Sequence, residues 1–217
     1  MDAEALIRAR YGALPFTPAE VPAALGLLLD RRVTRRFKPD AVPDALLNTV
    51  LAGAQSAPAK SDLQQYSILV TRDAAKIAAV ADAIGTMPWI KDAPILLLFC
   101  GDIRRGRQVC AIHGRAHAND SIDTFLNASA DAALAMGFCV MAAETVGLGT
   151  CPISYVRNNL DLVAELFGLP DGVFPLAGLA LGWPAARNAT SPRLPPAVVV
   201  HRERYDDRAL ADALPAH

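Results

Sequence analysis

Four guanidinium groups fall within six residues at Arg31, Arg32, Arg35 and Arg36, in the run Arg31-Arg32-Val33-Thr34-Arg35-Arg36-Phe37. Guanidinium is planar, permanently charged and able to donate two parallel hydrogen bonds, so a local block of it suits phosphate. The chain has formal net charge -1, so the block is not part of a generally basic surface. The same run also suits a solvated helix end, where cations complement the negative end of the helix dipole. No GxGxxG follows a strand-like run and no GxxxxGK[ST] occurs. A phosphate site here is therefore expected to be assembled from side chains and loop amides. No GxSxG elbow is present, which leaves hydrolysis without a nucleophile motif. Cys110, His113 and His117 have a spacing that zinc could use, but Gly114 and Arg115 interrupt the segment and no HExxH glutamate accompanies it. The stretch from Arg104 to Asn119 reads as a polar loop, and no metal is expected.

Composition sets the frame for these residues. A length of 217 residues fits a single domain over 1–217 that buries its own core. The hydrophobic fraction of 53% calls for a large buried surface, and a homodimer interface would absorb the excess. No basic tail or aromatic-interleaved patch points to nucleic acid. The four cysteines are widely spaced with no CxxC pair, and the start Met1-Asp2-Ala3-Glu4 has no apolar signal core. Reduced thiols and a cytoplasmic location are expected. Phe125 to Leu148 is apolar enough to resemble a membrane span, but Asn127, Ser129, Asp131, Glu144 and Thr145 would be costly in lipid. A buried central helix is the expectation.

Periodicity and breakers then give the elements that must position the candidates. Helices are predicted over Asp2 to Tyr11, Ala19 to Arg31, Pro43 to Ser56 and Asp73 to Ile84, then from Ser121 to Gly147, with Asn119 or Asp120 as its cap, and over Asn159 to Phe167. Strands are predicted at Tyr66 to Thr71, Ile95 to Cys100, Cys151 to Ser154 and Phe174 to Leu181. Strands interleaved with helices give an α+β or mixed three-layer domain.

The order of four segments is more specific than any of them singly. The basic RRxxRRF run is followed by Ala57-Pro58-Ala59-Lys60-Ser61-Asp62-Leu63-Gln64-Gln65-Tyr66. Gly147-Leu148-Gly149 through Arg157-Asn158-Asn159 comes next, and then Leu181-Gly182-Trp183-Pro184 with Pro192-Arg193-Leu194-Pro195. From about Leu29 to Tyr205 this order resembles the FMN-dependent nitroreductase family, nearest to its NADPH-dependent flavin reductase and oxygen-insensitive nitroreductase branch. The resemblance implies a three-layer fold with a central mixed β-sheet surrounded by helices. It implies FMN as cofactor, NAD(P)H as donor and nitroaromatics, quinones or free flavins as acceptors in a ping-pong cycle. A flavin-binding storage or sensor protein is the alternative.

Carried over by position, Arg31 and Arg32 would lie near the FMN phosphate and ribityl chain, and Arg35 near the N1 edge of the flavin. Val33 stands where the related motif has serine. The segment Pro58, Ala59, Lys60, Ser61 and Asp62 would supply a cofactor wall from the partner subunit; read alone, it is an ordinary helix-to-strand loop. Pro152, Ile153, Ser154 and Tyr155 stand where the related branch has a Gly-Gly pair, and Tyr155 either narrows the substrate pocket or sits in the core. Ser191 replaces a lysine of the related KPRLP motif, which leaves Arg193 as the distal phosphate cation. No side chain is assigned as acid, base or nucleophile, since the cofactor performs the chemistry.

Overall fold

The computed structural model describes residues 2–19 and 22–213, which form two compact units. The smaller comprises Met1–Arg32 with Asn188–His217 and the larger Val33–Arg187. In the smaller unit, helix α1 (Ala3–Tyr11) begins at Asp2, whose carboxylate accepts from the Glu4 N–H at 3.0 Å, and ends at Gly12 with φ +71. Both caps follow from residue type: Asp satisfies an orphan N–H, and Gly tolerates the left-handed turn. Helix α2 (Ala23–Asp30) packs on α1. It is shorter than the predicted Ala19 to Arg31, because Pro22 sets its start; Glu20 and Val21 lie outside the described residues. The returning segment carries short helical turns at Pro196–Val199 and Leu210–Ala213.

The larger unit runs α3 (Asp44–Gln55), β1 (Tyr66–Thr71), α4 (Ala74–Ile84), β2 (Ile95–Asp102), α5 (Arg104–Ile112), α6 (Ile122–Thr145), β3 (Gly149–Ile153), α7 (Leu160–Phe167) and β4 (Val173–Gly182). The strands pair in the order β1-β2-β4-β3, each pair antiparallel. The sheet expected to be mixed keeps its parallel component, among the described residues, only in the isolated Val33–Thr150 bridge. The segment carrying Val33 touches the sheet residue by residue rather than as a strand. Between β2 and β4 the register shifts at Phe99 and Cys100, where Cys100 faces Pro175; proline has no N–H to give the ladder.

Every residue of β2 is buried, and alternation sorts its side chains into two cores. Ile95, Leu97 and Phe99 join α3 and α6 on one face, whereas Leu96, Leu98 and Cys100 join α4 and α7 on the other. Helices on both faces of one sheet make the three layers. Helix α6 is long and apolar enough, by length and composition, to cross a membrane. Its Ala132, Ala135, Cys139 and Ala143 are instead packed in the core cluster. Small residues let α3 approach closely: a Cβ on Gly53 would stand 2.8 Å from the Cβ of Ala142. The cap of α6 is Ser121 rather than Asn119 or Asp120. The polar stretch expected to be a loop contains α5, which ends at His113 before Gly114 with φ +65; its helix signal was hidden by a polar start, Arg104-Arg105-Gly106-Arg107-Gln108, that reads as a loop.

Candidate functional site

In the smaller unit, the arginines that the sequence singled out converge around one it did not. Arg10, in the last turn of α1, is only 6% exposed. Its guanidinium donates through Nε to the carbonyl of Leu29 at 2.8 Å, through Nη1 to that of Ser191 at 3.1 Å and through Nη2 to that of Arg31. Its own carbonyl accepts from the Arg193 N–H at 2.6 Å. Desolvation lowers the Arg10 pKa first, followed by repulsion from Arg193 and Arg31, with Asp30 opposing and Arg32 adding to the repulsion. Arg32 pairs with Asp30 at 2.7 Å and reaches the Asn188 carbonyl at 3.2 Å. At Arg10 the repulsion from Arg193 and Arg31 outranks the attraction of Asp30, a local positive excess. The Arg32 Nε is buried without a hydrogen-bond partner among the described residues, a donor that an anion would satisfy. Arg193 is exposed and lines a cleft of about 520 Å3 with Tyr11, Pro192, Leu194 and Pro196. Arg31, Arg32, Ser191 and Arg193 are therefore brought together, and the site suits a phosphate.

In the larger unit, the run from Val33 to Phe37 is stitched to the sheet. The Thr34 N–H donates to the Thr150 carbonyl at 2.8 Å, and Phe37 bridges Pro184. This explains two of the glycines that the motif order marked. A Cβ on Gly149 would lie 2.3 Å from Thr34 Oγ1, and one on Gly182 would lie 2.5 Å from the Pro94 ring. Thr34 is buried while Arg35 is exposed, and among the described residues no group hydrogen-bonds or pairs with the Arg35 guanidinium.

The Pro58 to Asp62 segment is a strained loop held at both ends. Ser61, Asp62 and Gln64 have φ of +52, +55 and +49, an uncommon left-handed backbone for residues with side chains. Asp131 of α6, 1% exposed, accepts from the Lys60 N–H and from the Gln65 N–H, both at 2.9 Å. Arg105 of α5 donates to the carbonyls of Gln64 and Tyr66 at 2.6 and 3.0 Å, and to Ser67 Oγ and Asp102. Asp62 takes the Gln64 side-chain amide at 3.2 Å. Lys60, Ser61 and Asp62 are exposed. Asp131 and Arg105 carry this loop, and sequence reading missed both. Asp131 showed only as a charge out of place in an apolar helix, a signal for a buried acceptor.

Pro152, Ser154 and Tyr155 are exposed around a buried Ile153. Tyr155 is 42% exposed, which rules out the core reading and leaves its ring available to a ligand. Burial pushes the Cys100 thiol, with help from Asp102, and the Cys139 thiol up to about 12, so neither is a thiolate nucleophile near neutral pH. Among the described residues no three His, Cys, Asp or Glu side chains group as metal ligands.

The model of the Nitroreductase family matches residues 28–183. The chain belongs to the nitroreductase family. A curated relative, FMN reductase [NAD(P)H] of Bacillus subtilis, is 37% identical over 180 residues, 82% of this chain and 72% of the relative. The oxygen-insensitive NADPH nitroreductase of Salmonella typhimurium is 36% identical over 188 residues, covering 85% and 77%. The solved NADPH:FMN oxidoreductase of Vibrio harveyi, complexed with NAD+, superposes with a TM-score of 0.81 at 31% identity, covering 88% of this chain and 82% of that one. Family membership makes this chain an oxidoreductase with FMN as its cofactor, and the arginine cluster fits the cofactor's phosphate.

Proposed function

We propose that this nitroreductase-family chain takes reducing equivalents from NAD(P)H and delivers them to a small electron-poor acceptor, a nitroaromatic, quinone or free flavin, with both bound in turn at one place. The observation that carries the reading is the convergence of Arg31, Arg32 and Arg193 with the unpartnered Arg32 Nε. Bound FMN supplies the two-electron chemistry. The chain's residues supply holding, orientation and charge. Arg31, Arg32 and Arg193 hold the phosphate, with the Ser191 backbone fixed beside them. Arg35 sets a positive charge at the N1 edge, and Val33 adds an apolar contact in place of a hydroxyl. Pro152, Ile153, Ser154 and Tyr155 line the ring and narrow the acceptor's entry. Pro58, Ala59, Lys60, Ser61 and Asp62 wall the cofactor of a partner subunit in a homodimer. The protein acts in the cytoplasm as a single functional domain.

Two measurements test the reading. Heat-released pigment from the purified protein is expected to have the FMN spectrum, and steady-state NAD(P)H oxidation with menadione or a nitrofuran is expected to give parallel double-reciprocal lines. FMN without turnover would leave a flavin carrier; intersecting lines would remove the shared binding place.

A further inference from the structure

We propose that Arg10, a residue outside the basic run and outside the Pro192-Arg193 segment, is the positioning residue that assembles the phosphate clamp. The inference rests on the reading of Arg31, Arg32 and Arg193 as phosphate cations and deepens it. Those cations sit on two segments far apart in the sequence, and a clamp forms only if something fixes one segment against the other. Arg10 does this with both its side chain and its backbone. One planar fork donates to Leu29 and Arg31 on the first segment and to Ser191 on the second. The Arg10 carbonyl meanwhile accepts from the Arg193 N–H. A buried guanidinium whose three nitrogens all reach backbone carbonyls has a structural assignment for each of them.

Its position also has an electrostatic consequence. Arg10 is desolvated and repelled by Arg193, Arg31 and Arg32, and Asp30 opposes this without reversing it, so an anion entering beside these cations would be favoured. A dianionic phosphate relieves the repulsion among all four cations, and a neutral ribityl alcohol does not. Arg10 thus supplies a fixed cation beside Ser191, the position at which the chain has no side-chain charge of its own. It acts through the segments it ties and touches no reacting atom.

The test compares FMN with riboflavin, which shares the ring and ribityl chain and lacks the phosphate. The full chain stripped of flavin is titrated with each by fluorescence quenching, as wild type, Arg10→Met and Arg10→Lys, and the melting temperature of each flavin-free protein is recorded. Wild type is expected to prefer FMN over riboflavin, and Arg10→Met to reduce that preference at least tenfold by weakening FMN alone. Arg10→Lys keeps the charge but has one nitrogen for three acceptors, so it is expected to recover only part of the loss. Inorganic phosphate is expected to compete with FMN on wild type and much less on Arg10→Met. Equal weakening of FMN and riboflavin, or an unchanged preference in both variants, would overturn the proposal while leaving the phosphate assignment standing. A wild-type protein with no preference for FMN over riboflavin would remove the phosphate assignment itself, and the role of Arg10 with it.

Discussion

Arg31 and Arg193 lie within electrostatic reach of one buried cation, Arg10, so the proposed phosphate would feel both. If these cations hold the phosphate as proposed, each removal would delete a charge-assisted hydrogen bond worth about 1.5–3 kcal/mol. Arg31→Ala and Arg193→Ala are each expected to weaken FMN binding by tenfold or more in isothermal titration, and wild-type affinity in both would sink the assignment. Arg35 is expected to behave differently, because it is exposed and without a partner among the described residues. A cation at the N1 edge favours the negative charge that two-electron reduction leaves there. Water screens it, so the effect belongs near the weak end of Coulomb estimates, about 1 kcal/mol or about 20 mV for a two-electron couple. Arg35→Gln is therefore expected to lower the midpoint potential by that order while changing FMN affinity less than Arg31→Ala does. An unchanged potential in a redox titration would place Arg35 away from the N1 edge.

Among the elements, the loop from Pro58 to Gln65 depends on a residue of another element. Asp131 holds it from inside α6 through two backbone N–H groups. Asn at that position keeps one oxygen and turns an NH2 group toward the second N–H, leaving donor against donor. Asp131→Asn is expected to lower stability by about 1.5–3 kcal/mol, and to raise hydrogen exchange at Lys60 and Gln65 ahead of the rest of the chain. Unchanged melting and exchange would mean that the loop holds itself. The loop also shows what the sequence could reveal. The strand Tyr66–Thr71 and helix Leu160–Phe167 were legible because a short apolar run with a boundary residue such as Asp73, or a breaker such as Gly168, acts locally. The long-range tethers Asp131 and Arg105 were not, since a carboxylate that meets backbone amides about 70 positions away leaves no periodic trace. Helix α5 escaped for a different reason: its sequence Arg104-Arg105-Gly106-Arg107-Gln108 is strongly polar and holds a glycine, so its composition reads as a loop. At the site, the RRxxRRF run and Arg193 were legible by type and order. Arg10 was not, because an arginine in the last turn of a helix is already explained by the dipole.

For the whole molecule, the unspent apolar surface argues for a second copy. Helix α6 buries its small residues against the sheet and turns Ile122, Phe125, Leu126, Leu134 and Phe138 outward; Ile122 is 73% and Leu126 57% exposed. Leu63, in the loop that Asp131 fastens to α6, is 59% exposed. Large side chains left uncovered along one helix and an adjoining loop are what an obligate interface consumes. The same loop carries the residues proposed to wall a partner's cofactor, so under that proposal assembly and activity would become one property. A charge at Leu126 would then be buried without a counterpart on closing the dimer. Leu126→Glu is expected to weaken the dimer by about 2 kcal/mol or more, about thirtyfold in its dissociation constant, and to lose activity in proportion to the dimer lost. Sedimentation of the flavin-loaded protein over a concentration series measures both species, and activity is assayed at the same concentrations. A wild-type monomer that retains FMN and turns over at full rate would separate assembly from function and remove the partner from the site.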